Sequence, residues 1–147
     1  MVQPSDIAQA FNENLPGSDD NPNTLRLLGF DLQSWDEKTE TIRVGFEARP
    51  EFRNPGGIIQ GGMLAAMIDD AFGPLLIIAT SRTMRPLTLD LNVTYISAGQ
   101  VGKFVCEARI IRRGRSTAFL EGELFDDKGE LIARATSTVK LVPMVRG

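Results

Sequence analysis

The chain has 147 residues, a net charge of −3 and a sequence pI near 5.0. That size fits one domain able to bury a core without covalent staples, and the charge sets it apart from nucleic-acid binders, whose phosphate recognition normally shows a basic excess. It contains no histidine and one cysteine, Cys106, which excludes Ser-His and Cys-His nucleophile pairs, zinc sites built on two histidines or on thiolates, and internal disulfides. Acid–base chemistry must rest on carboxylates, amides, hydroxyls or backbone groups.

In chain order, Ser5 is placed to cap a short helix through Ala10 and Phe11 that covers a sheet edge or a pocket mouth, and the polar run at 17–23 is a turn or loop. No basic stretch followed by an apolar run opens the sequence, so no secretory signal is read and a cytoplasmic location is expected. Residues 25–32 read as a strand or short extended segment. Residues 39–48 alternate Ile42, Val44 and Phe46 against Thr41, Arg43 and Glu47, which is period two. Residues 35–40 supply the hairpin turn between them, and residues 49–57, with Pro50 and Pro55, form an irregular loop.

That loop feeds the most informative segment, NPGGIIQGGMLAAMIDD at 54–70. From Met63 to Ile68 no polar residue intervenes; Asp69 and Asp70 follow, and apolar residues resume through Ile78. Such a helix is expected to be buried on nearly all sides. Two central charges and the Gly73-Pro74 break argue against a membrane span over 61–80. The helix mouth at Gly61-Gly62 offers unpaired N–H groups and the positive end of a helix dipole, which suit a carbonyl oxygen that gains negative charge. A carboxylate in these surroundings costs several kcal/mol unless it is hydrogen-bonded. We assign the functional role to Asp69 and a structural one to Asp70. Asp69 lies eight residues beyond Gly61, about 12 Å along the helix axis, so one carbonyl cannot touch both groups within a single chain. If both act on one substrate, the aspartate comes from a second, antiparallel copy of the helix in a two-fold dimer.

The second half reads as long strands at 88–96, 103–112, 117–125 and 131–141, with Leu89, Leu91, Val93 and Tyr95 on one face of the first and Asp90, Asn92 and Thr94 on the other. Turns at SAGQVG, RRGR and DDKGE join them into an antiparallel meander. Cys106 is expected in a core or half-buried strand. One apolar helix with five or six strands predicts an α+β fold, a curved antiparallel sheet wrapped around a central helix.

With Asn54, the Gly61-Gly62 pair, Asp69, TLDLNVTYISAGQVGKF and RRGRSTAF in this order, the chain resembles the hotdog-fold acyl-CoA thioesterases, particularly the phenylacetate-degradation and hydroxybenzoyl-CoA type. The likeness covers most of residues 25–143 and implies a single hotdog domain over 1–147, with 1–24 as N-terminal helix and loop. It further implies hydrolysis of an acyl-CoA thioester to free acid and coenzyme A, with no metal or organic cofactor, no nucleic-acid or membrane partner, and a homodimer or dimer of dimers.

Residue by residue, the resemblance gives Gly61 N–H the thioester carbonyl, Asn54 the positioning of that carbonyl or a water, and Asp69 of the facing subunit the role of nucleophile or general base. Thr88 would orient the attacking water. Gln60 stands where many relatives carry histidine; it can donate and accept hydrogen bonds but carries no proton at neutral pH, so it is assigned to substrate positioning together with Gly62. Arg112, Arg113 and Arg115, around the turn at Gly114, would meet the phosphates of coenzyme A. The acyl tail is expected along the helix near Met63, Met67, Phe72 and residues 12–15. A hydratase of this fold would typically pair its carboxylate with a histidine, and the chain has none. The competing class is a non-catalytic acyl-CoA or lipid-binding module.

Overall fold

Period-two patterning becomes six antiparallel strands in one sheet, and the apolar run becomes the helix they enclose. The computed structural model describes residues 4–17, 20 and 22–144, the side chains of residues 4 and 5 excepted. The elements are α1 (Pro4–Glu13), α2 (Thr24–Leu27), β1 (Asp31–Asp36), β2 (Thr41–Ala48), a short 3-10 turn (Pro50–Phe52), α3 (Gly61–Ala79), β3 (Met84–Tyr95), β4 (Gly102–Arg113), β5 (Thr117–Asp126) and β6 (Leu131–Pro143). The sheet order is β1-β2-β4-β5-β6-β3, and α3 packs against β2, β3, β4, β5 and β6. This is the hotdog arrangement that the resemblance implied. Although α3 is long and apolar enough to cross a membrane by length and composition, it serves here as the core helix, with Met67, Ile68, Ala71, Leu75 and Leu76 fully buried.

Several expectations are corrected. The four C-terminal strands do not form one meander: β4, β5 and β6 do, while β3 pairs with β6 at the sheet edge and β4 pairs with β2. Instead of a hairpin turn, residues 96–101 cross the amino end of α3. Ile59 N–H donates to the Gly99 carbonyl at 2.9 Å, and a Cβ on Gly99 would stand 3.2 Å from Phe104 and 3.4 Å from Leu64, so packing diverts the linker. Residues 24–27 are a helical turn rather than part of a strand, because the Asn23 side chain caps it by accepting from Arg26 N–H at 3.2 Å. Gly29, at φ +68, then turns the chain into β1.

Nor does Gly73-Pro74 end the helix, which runs on to Ala79. Pro74 removes the N–H that would bond the Asp70 carbonyl, and it is buried within the helix. The helix is not enclosed on all sides: Gly62 is exposed, and Ala65, Ala66, Asp69 and Gly73 are only half-buried, a face recurring at helical spacing that the described residues do not fully cover. Met67 and Phe72, expected beside the acyl tail, are 0% and 1% exposed and belong to the core.

On β3 the register shifts between Thr88 and Asp90, a bulge that resets the alternation. Leu89 is therefore 60% exposed rather than sharing the apolar face with Leu91 and Val93, which pack against the core. At the opposite edge α1 covers β1, as expected of the opening helix. The Asn12 amide imitates a neighbouring strand, accepting from Leu32 N–H at 2.8 Å and donating to the Leu32 carbonyl at 2.8 Å. Ser5 falls within α1, which starts at Pro4, and its capping side chain lies outside the described residues, as do Ser18, Asp19 and Asn21 of the 17–23 loop. Cys106 is buried in β4, and burial pushes its thiol well above the usual range.

Candidate active site

The approach to α3 is built by residues 54–60. Gly57 N–H donates to the Asn54 carbonyl at 2.9 Å, and Asn54 N–H to the Ile58 carbonyl at 2.7 Å, a tight turn in which Gly57 takes φ +87. Within it, the Asn54 Oδ1 atom is buried and has no hydrogen-bond partner, an acceptor whose desolvation is uncompensated unless something donates to it. Gln60 is the N-cap residue. Its backbone carbonyl receives Met63 N–H at 2.9 Å and Leu64 N–H at 3.3 Å, while its side chain makes no capping bond. The N–H groups of Gly61 and Gly62, at the positive end of the helix, stay available to a ligand.

Two turns further on, Asp69 Oδ1 accepts from the Thr88 hydroxyl at 3.0 Å. The structure thus brings together the carboxylate and the hydroxyl that the sequence suggested as a pair. Gly61 and Asp69, by contrast, sit on one helix and stay about two turns apart within the chain.

Asp69 and Asp70 both line an open cavity of about 310 Å³, together with Phe11, Pro16 and Leu25 from the N-terminal segment and with Gly73, Arg82 and Met144. Of the residues expected along the acyl tail, Asn14 lies in its wall, whereas Met63, Met67 and Phe72 do not line it. Sequence reasoning gave Asp70 only a structural role, yet its carboxylate is strongly perturbed. Its Oδ1 accepts from Thr24 at 3.1 Å, its Oδ2 is buried without a partner, and burial pushes its pKa from 3.8 up to about 6, with the Asp69 charge adding to the rise and the Thr24 bond opposing it. The one signal for this in the sequence was adjacency of two carboxylates inside an apolar helix.

Because folding raises this pKa, the folded state holds the proton more tightly than the unfolded chain. Asp70 therefore favours folding most below pH 3.8, and that contribution is lost as pH rises through about 6. Asp70→Asn keeps an acceptor for Thr24 and removes the charge. We expect it to raise stability at pH 8, on the order of 1 kcal/mol after discounting for partial exposure, and to match wild type near pH 4. Thermal melts at both pH values check this, and a lower Tm at pH 8 contradicts it.

Arg112 and Arg113 end β4, and Gly114 N–H donates to the Thr117 carbonyl at 2.8 Å to close the turn. Arg112 and Arg115 are exposed, whereas Arg113 donates to Glu40 at 3.2 Å. Among the described residues, no three His, Cys, Asp or Glu side chains are grouped to hold a metal ion.

Comparison with known proteins agrees with this fold. The sequence profile of the thioesterase superfamily matches residues 56–133. Acyl-coenzyme A thioesterase 13 of Mus musculus is 30% identical over 104 residues, covering 69% of this chain and 74% of that protein. The medium/long-chain acyl-CoA thioesterase YigI of Escherichia coli K12 is 27% identical over 128 residues, covering 77% of this chain and 81% of that protein. Alignments to curated relatives span as little as 61% of the relative's length. A crystal structure of a phenylacetic acid degradation-related protein from Ralstonia eutropha JMP134 superposes with a TM-score of 0.80 at 30% identity, covering 90% of this chain and 97% of that one. With the profile spanning more than half of its length and the same fold around one central helix, this chain belongs to the thioesterase superfamily.

Proposed function

We propose that the protein hydrolyses acyl-CoA thioesters to a free acid and coenzyme A, working as a two-fold dimer in which the helix mouth of one subunit meets Asp69 of the partner subunit. The observation that carries this reading is the state of α3. Its amino end presents uncapped Gly61 and Gly62 N–H groups, and its half-open face carries a carboxylate already held by the Thr88 hydroxyl at 3.0 Å. In the ground state the thioester oxygen accepts from the Gly61 N–H. As Asp69, or a water it activates, attacks the carbonyl carbon, the growing negative charge on that oxygen is met by the helix end. Collapse of the tetrahedral species expels coenzyme A as its thiolate; where water attacks, the proton taken by Asp69 passes to that thiolate and the acid is free, and where Asp69 attacks, water then cleaves the acyl–Asp69 anhydride to release the acid. In this reading Asn54, whose side-chain acceptor is buried without a partner, positions the carbonyl or a water at the mouth, and Gln60 orients the thioester.

The dimer is favoured by what the single chain leaves open. Small residues line the uncovered face of α3, so a second helix could approach closely, and Leu87 and Leu89 on the edge strand β3 are 46% and 60% exposed. Burying such side chains against a second copy removes apolar surface from water. A cytoplasmic location is part of the same reading.

Release of free thiol from a panel of acyl-CoA esters tests the function: turnover by the wild type is expected, and binding without thiol production identifies a non-catalytic module instead. In the same assay, neutralising Arg112, Arg113 and Arg115 together should raise KM for CoA esters about 10-fold, the loss of phosphate contacts, while short non-CoA thioesters are little affected. Equal effects on both remove these arginines from coenzyme A recognition.

A further inference from the structure

We infer that Tyr95 is a positioning residue for the oxyanion site, holding the first peptide plane of α3 so that the Gly62 N–H points at the reacting carbonyl beside the Gly61 N–H. This rests on the reading of Gly61 given above. Tyr95 is the only tyrosine in the chain and lies at the end of β3. Its hydroxyl donates to the Gly61 carbonyl at 2.7 Å. That carbonyl and the Gly62 N–H belong to one planar peptide group, so the bond fixes the orientation of the Gly62 N–H and, by drawing electron density to the carbonyl oxygen, makes that N–H a stronger donor.

The ring has a second effect. A Cβ at position 61 would lie 3.0 Å from Tyr95 Cζ and 3.2 Å from its hydroxyl oxygen, whereas one at Gly62 would meet nothing within 4 Å. Within one chain, the tyrosine lying against the helix mouth is therefore what favours glycine at 61. Thr88 and Tyr95 act from one strand, the first on Asp69 and the second on Gly61. The bulge between Thr88 and Asp90 is what lets an even-numbered and an odd-numbered residue of β3 both reach α3.

Tyr95→Phe removes one oxygen from a half-exposed side chain and keeps the ring. We expect kcat for acyl-CoA hydrolysis to fall about 10-fold, less than loss of a direct oxyanion donor, with KM within about twofold and Tm nearly unchanged. In a Gly61→Ala background, where the new methyl group has already displaced the ring, Tyr95→Phe should add little, so the two losses are strongly non-additive. An unchanged kcat, a rise in KM alone, a loss of activity that follows Tm, or additive losses each overturn the assignment. If the wild type releases thiol and Tyr95→Phe equals it, the positioning role fails while the proposed function stands; if the wild type releases none, the function itself fails.

Discussion

Asp69→Asn is expected to reduce thiol release from acyl-CoA by about 100- to 10,000-fold, the range for loss of a positioned base or nucleophile. The fold should survive, since asparagine keeps an oxygen that can accept from Thr88, as Asp69 Oδ1 does at 3.0 Å, and the position is half-buried rather than sealed in the core. Binding of acyl-CoA and the state of assembly should also persist, because phosphate recognition and the helix mouth are untouched. Calorimetry with a substrate ester and sedimentation of the variant separate these outcomes from misfolding. Turnover equal to wild type would remove Asp69 from the chemistry and leave Asp70, which lines the same cavity, as the nearest carboxylate to examine.

What the sequence made legible was local. Alternation in β2, the turn-bounded strands of the meander, the apolar run of α3 and the glycine pair at its mouth all follow from periodicity, turn signals and helix-end chemistry within a few residues. Strand partnership does not. The pattern in 88–96 says that one face is apolar, but the choice of β6 over β4 as neighbour depends on residues 96–101 being drawn across the helix mouth by Ile59 and packed against Phe104. The bulge that exposes Leu89 is equally invisible, because shifting register by one residue leaves composition unchanged.

The site divides the same way. Asp69 and Thr88 are legible in the sequence because order and spacing carry the resemblance. Tyr95 on Gly61 and Thr24 on Asp70 join residues 34 and 46 positions apart, and only packing of β3 and of the N-terminal segment onto α3 brings them together. Met67 and Phe72 were misplaced for a related reason. An apolar side chain on a helix reads identically whether it faces a ligand or the sheet, and here both face the sheet.

Subunit complementation addresses the shared site. Asp69→Asn retains the helix mouth, and Gly61→Val, whose side chain must displace the Tyr95 ring standing 3.0 Å from the Cβ position, retains the carboxylate; each is expected to be inactive alone. When the two are co-expressed with different tags, random pairing makes half the dimers mixed, and each mixed dimer rebuilds one of its two sites, so thiol release should recover to about a quarter of wild type. Mixed dimers, isolated through both tags, that release no more thiol than either parent would contradict a site shared between subunits.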